Sequence, residues 1–153
     1  MILAEVEEIT GEFPEEQEMP SFNHSYICNR ILRQLFENPK IDALPELTLN
    51  IDKGITPDIS VYPSEKIKAN FLKDFPKYSE MPILAIEVIS ASQNIQDLLE
   101  KAEMLISNGI KSVWTVEPFT NTVFVTESAG TKKASLQLIE SEGITVDFQK
   151  IFN

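Results

Sequence analysis

An almost unbroken apolar run from Ile83 to Ile89 passes directly into an amphipathic stretch that begins by Gln93. A run rich in β-branched residues predicts a strand buried on both faces. Ile95, Leu98, Leu99, Ala102, Leu105 and Ile106 then repeat at i, i+3, i+4 spacing, the stripe of a helix packed on a sheet. Gly109 fits the C′ position that ends it. One residue interrupts the apolar run: Glu87. A carboxylate in a buried strand carries a desolvation penalty of several kcal/mol unless a cation or a donor meets it. Gln93, Asp97 and Lys101 share a neighbouring helix face at i, i+4 spacing, so the lysine could lie over the end of that strand.

The rest of the chain supplies more strands and one more long helix. Ser21 can cap a helix that runs to about Asn38, with Ile27, Cys28, Ile31, Leu32 and Leu35 toward the core. Pro39 marks its end. Leu47, Leu49 and Ile51 alternate with polar residues and predict a half-buried strand, followed by a turn at Asp52-Lys53-Gly54. Pro57 to Tyr62 predicts a second strand, with Ile59 and Val61 on one face and Asp58 and Ser60 on the other. Pro63 to Met81 is polar, carries four lysines and predicts a loop with a short helix or turn. Val113–Glu117 and Thr122–Thr126 predict a hairpin, and Ala134–Ile139 and Ile144–Val146 further short strands. A helical turn closes the chain between Asp147 and Phe152. The order predicts an α/β fold, a mixed central sheet flanked by helices.

The 153 residues suit one domain, read as residues 21–153 behind an acidic arm at residues 1–20. The net charge is −11, but seven glutamates and no basic residue lie in the arm, leaving 17 acidic and 13 basic residues in the body. That balance argues against tight binding to phosphate backbones through charge alone. It leaves room for a metal ion to supply positive charge at one point. No apolar run approaches the roughly 20 residues of a membrane span, and no basic flank precedes the short apolar start, as a signal peptide would require. The lone Cys28 excludes an internal disulfide framework and fits a reducing compartment, so the expected location is the cytoplasm.

If the strands of Asp58 and Glu87 are neighbours, their carboxylates can converge on one divalent cation, Mg²⁺ or Mn²⁺. Lys101 could then hold the attacking water or a scissile phosphate, while the metal lowers the pKa of its bound water. These are the parts of a phosphodiester hydrolase. Each residue also has a plainer reading. Asp58 can accept backbone donors in a turn. Glu87 can pair with a buried base. Lys101 can pair with Asp97, worth only about 0.3–0.5 kcal/mol. His24, the only histidine, reads as a first-turn helix residue rather than a ligand, and Trp114 as core. No Gly-rich phosphate loop and no nucleophile elbow is present.

Taken together, these motifs resemble the Uma-two (Uma2) family, a branch of the PD-(D/E)XK nuclease superfamily. The resemblance runs through Phe22-Asn23-His24 opening the first helix, Pro57-Asp58 at a strand start, Glu87-Val88-Ile89-Ser90 closing the apolar strand, and Asp97 and Lys101 on the next helix. It continues through Gly109-Ile110, Val113-Trp114 and Val116-Glu117-Pro118, and covers about residues 21–153. It implies a restriction-endonuclease-like core and a Mg²⁺- or Mn²⁺-dependent endonuclease acting on DNA. It implies that Asp58 and Glu87 bind the metal with the Val88 carbonyl, and that Lys101 is the signature lysine, moved from strand to helix. It also implies a homodimer. The chain departs from the pattern at Thr56, where a basic residue is usual, at Leu105 for a tyrosine and at Ala91 for a proline. The loss of the base and the acidic charge favour the alternative, a catalytically weak member that serves as a binding or assembly module.

Overall fold

The computed structural model describes residues 20–135 and 137–152; the acidic arm therefore lies almost entirely outside the described residues. Helix α1 (Phe22–Leu35) starts where Ser21 Oγ accepts a hydrogen bond from the His24 N–H at 3.3 Å, filling one of the donors that a helix start leaves open. Helix α2 (Ile95–Ser107) starts at Asn94, whose Oδ1 accepts from the N–H groups of Gln96 and Asp97. It therefore begins at the first residue of the apolar stripe, two residues later than the expected start near Gln93. Gln93 instead precedes the helix and accepts from the Ser90 N–H. Past the C-terminus of α2, Gly109 has φ +107°, the left-handed conformation that glycine adopts without strain.

Six strands form one sheet: β1 (Ile41–Pro45), β2 (Ile59–Pro63), β3 (Leu84–Val88), β4 (Ser112–Glu117), β5 (Thr122–Glu127) and β6 (Gly130–Ser135). They lie in that order across the sheet. Every neighbouring pair is antiparallel except β3 and β4, which are parallel and joined by the α2 crossover. A separate hairpin, β7 (Leu138–Ser141) with β8 (Ile144–Asp147), leads into a short helix α3 (Gln149–Phe152). Among the described residues no helix is long and apolar enough to cross a membrane.

The two sheet faces bury different things. Leu84, Ile86 and Val88 of β3 join Ile59, Val61, Trp114 and the α1 stripe Ile27, Ile31 and Leu35 in one core, which Phe148 and Ile151 extend. Ala85 and Val113 face the other way, toward Ala102 and Leu105 of α2. This alternation follows from the two-residue period of a strand. The Gln34 amide spans α1 and β8, donating to the Asp147 carbonyl at 3.0 Å and accepting from its N–H at 2.8 Å. It pairs with the strand edge as a neighbouring backbone would.

Two predicted strands are not formed as expected. Leu49 and Ile51 are buried, but the Leu47–Ile51 stretch is irregular, with only bridges from Leu49 to Ile55 and Tyr78. Its alternation reflects packing against the α2-side core rather than a ladder. The strand preceding β2 is instead Ile41–Pro45. The predicted Ala134–Ile139 strand is two strands in two sheets, β6 and β7.

Trp114 is fully buried and its indole N–H donates to Ser141 Oγ at 2.9 Å, tying the main sheet to the hairpin. Trp114→Ala is expected to destabilise the protein by about 3–5 kcal/mol. Urea denaturation followed by circular dichroism measures this, and a loss below about 1 kcal/mol would contradict the packing described.

Candidate metal centre

The three acid and base residues of the sequence argument meet at one end of the sheet. Asp58 stands one residue before β2, and the register that pairs Ile59 with Ile86 sets it opposite Glu87. The two strands are thus direct neighbours. Asp58 Oδ2 accepts the Val88 N–H at 2.8 Å, prolonging the β2–β3 ladder by one side-chain bond. Val88 therefore enters the site through its N–H; its carbonyl belongs to the same strand end.

Glu87 occurs at alternate spacing from Ala85, on the side of the sheet that α2 covers. It is 6 % exposed. Lys101 Nζ lies 2.5 Å from Glu87 Oε2, and the lysine side chain keeps 28 % of its exposure. The lysine stem leans toward the N-terminus of α2, as helical side chains do, and brings the ammonium back to the strand end. Lys101 thus pairs with the buried strand carboxylate, not merely along its own helix. Burial raises the Glu87 carboxyl well above its ordinary value, against the opposing pull of Lys101; the nearby Asp58 charge adds to the rise.

The residue that the sequence argument undervalued is His24. Its Nε2 lies 3.0 Å from Asp58 Oδ2, and it is buried. The hydrogen bond to Asp58 raises the imidazole pKa, outweighing the lowering effect of burial. The signal was present in the chain. His24 continues the stripe of Ile27, Ile31 and Leu35, so it had to be buried, and a buried imidazole requires a partner. Helix α1 thus brings a histidine to the site from one face, and α2 brings a lysine from the other.

The donor set suits a hard divalent cation. Asp58 and Glu87 offer carboxylate oxygens, the Val88 backbone a carbonyl, and the low-polarity setting of Glu87 rewards a nearby positive charge. A groove of about 430 Å³ runs past Ser90, Gln93, Thr120, Glu117 and Lys133 beyond the end of β3, and none of Asp58, Glu87 and Lys101 lines it; the cavity that Asp58 does line also carries Glu46. The groove's one acidic and one basic side chain offset each other.

The arrangement is a mixed α/β sheet flanked by helices, with an acid at each of two adjoining strand ends. The sequence profile of Uma2, described as "Putative restriction endonuclease", matches residues 4–152, and the chain belongs to that family. The match begins within the acidic arm, earlier than the motifs alone indicated. Among solved structures the fold is similar to that of a "putative nuclease belonging to DUF820" from Anabaena variabilis ATCC 29413. That similarity has a TM-score of 0.74 at 20% sequence identity, over 88% of this chain and 83% of the other. No curated protein matches the sequence.

Proposed function

We propose that this protein is a Mg²⁺- or Mn²⁺-dependent endonuclease that hydrolyses phosphodiester bonds of DNA. The observation that carries the reading is the joining of Asp58, Glu87 and Lys101 at one strand end. Asp58 and Glu87, with the Val88 carbonyl, would hold the metal. The bound metal supplies a polarised phosphate and a water of lowered pKa. His24 and the Val88 N–H fix the orientation of Asp58. Lys101, partly exposed above Glu87, is placed to offer its charge to an attacking water or a phosphate oxygen.

Calorimetric titration with Mg²⁺ and Mn²⁺, combined with cleavage of mixed DNA and RNA substrates, tests the proposal. Divalent binding is expected in the parent and absent in Asp58→Ala. A variant that binds as well as the parent removes Asp58 from the site. Cleavage of RNA alone would reassign the substrate.

A second reading has its own support: each carboxylate is already matched without a metal. Asp58 has His24 and the Val88 N–H, and Glu87 has Lys101. A binding or assembly module of nuclease fold would need no more. A folded protein that cleaves no substrate, with or without bound divalent metal, would favour it.

A further inference from the structure

We propose that His24, Cys28 and Asp58 form a site for a thiophilic divalent cation of the zinc class. The site shares Asp58 with the proposed hard-metal centre, but the binding of a thiophilic ion does not depend on that reading.

The geometry begins with α1. His24 and Cys28 are one turn apart, at i and i+4, and so share a helix face. One ring nitrogen, the Cys28 Sγ and one Asp58 oxygen all lie within 4.8 Å of one another. Zinc bond lengths set ligand atoms roughly 3.3–3.8 Å apart around a tetrahedral ion. Closing that gap takes about an ångström of side-chain rotation. Among the described residues, His24 Nδ1 is buried and has no hydrogen-bond partner. The imidazole is therefore not locked at both nitrogens and can turn to present a lone pair.

The three residues line one cavity of about 260 Å³, together with Glu46. The cavity has room for a fourth ligand, either water or the Glu46 carboxylate. The surrounding charge is negative: Asp58, Glu87 and Glu46 all raise the pKa values of both His24 and Cys28. Burial is the larger cause for the thiol, which is pushed up to about 12. The free thiol thus remains protonated at neutral pH. As the metal–sulfur bond forms, the Cys28 proton passes to water, as does any proton held on the ligating histidine nitrogen. Sulfur and imidazole ligands select against Mg²⁺, whereas the oxygen set on Glu87 selects for it. One aspartate would therefore serve two metal classes.

Cobalt(II) titration of the full chain tests this, because a Co²⁺–thiolate bond gives a charge-transfer absorption in the near ultraviolet. The parent is expected to show that absorption and to lose it when one equivalent of Zn²⁺ is added. Cys28→Ser should abolish it and weaken Zn²⁺ affinity by orders of magnitude, with circular dichroism confirming the fold. Cys28→Ala is the alternative if the serine variant fails to fold. Glu87→Gln, outside the triad, should retain the absorption. The proposal is overturned if the folded parent shows no thiolate absorption, if a folded Cys28 variant keeps it, or if Glu87→Gln loses it. Failure of the nuclease reading is separate: it would appear as absent Mg²⁺ binding in a parent that still gives the cobalt signal.

Discussion

Glu87→Gln is expected to abolish Mg²⁺ binding and cleavage while removing a pH-dependent weakness of the metal-free protein. The carboxyl is buried, and its folded-state pKa is raised from 4.5 to about 7. A raised folded pKa means that the favourable contribution is complete below about 4.5. It is lost as pH rises through about 7. The associated loss of metal-free stability falls within that window. In Glu87→Gln this part of the pH dependence should disappear. A saturating metal reverses the balance in the parent only: at a hundredfold excess over its Kd it stabilises the folded state by about 2.7 kcal/mol. Thermal melts across pH, with and without Mg²⁺, measure both effects. Equal Mg²⁺-induced stabilisation in parent and variant would remove Glu87 from the metal site.

Lys101→Ala is expected to cut cleavage by roughly 10²–10³-fold, the usual effect of deleting one preorganised charge donor. The structure changes what should happen to the rest of the protein. Lys101 is the cation that meets a buried carboxylate, so its loss leaves Glu87 without its ion partner. Metal-free stability at neutral pH should fall, and the Glu87 carboxyl should rise further, because Lys101 is what lowers it. Mg²⁺ affinity should hold or tighten, since lysine and metal are competing positive charges on one carboxylate. Lys101→Arg should restore stability better than turnover, because a planar fork replaces a compact point charge. Unchanged cleavage in Lys101→Ala would leave the lysine as a structural counterion only.

Much of this site was legible because burial and charge conflict visibly in the chain. Glu87 inside an apolar run announced that a cation had to approach, and the i, i+4 face of α2 indicated which one. Asp58 was placed by the proline and the alternation of Ile59 and Val61. What the residues could not show was a partner that depends on long-range docking. His24 reaches Asp58 only because α1 crosses the sheet at the end where β2 begins. The errors in strand assignment have the same origin. Leu47, Leu49 and Ile51 carry a strand's pattern, but among the described residues Leu49 makes only isolated bridges, and in the short β1 Leu44 falls out of step with Ile41 and Ala43, which hides the period.

The parallel β3–α2–β4 connection also orders events during folding. Glu87 and Lys101 lie on one continuous strand–helix unit, so their meeting closes a short loop. The Asp58 contact with Val88 spans 30 residues and must wait for β2 to dock. A partly folded chain would therefore hold Glu87 already neutralised by its own lysine, with the second acid still absent. A copy still being synthesised, or locally opened at β2, would lack the Asp58–Glu87 pair on which the proposed chemistry depends. The Lys101–Glu87 ion pair persists in the closed sheet, so the docking of β2 is the step that completes the site.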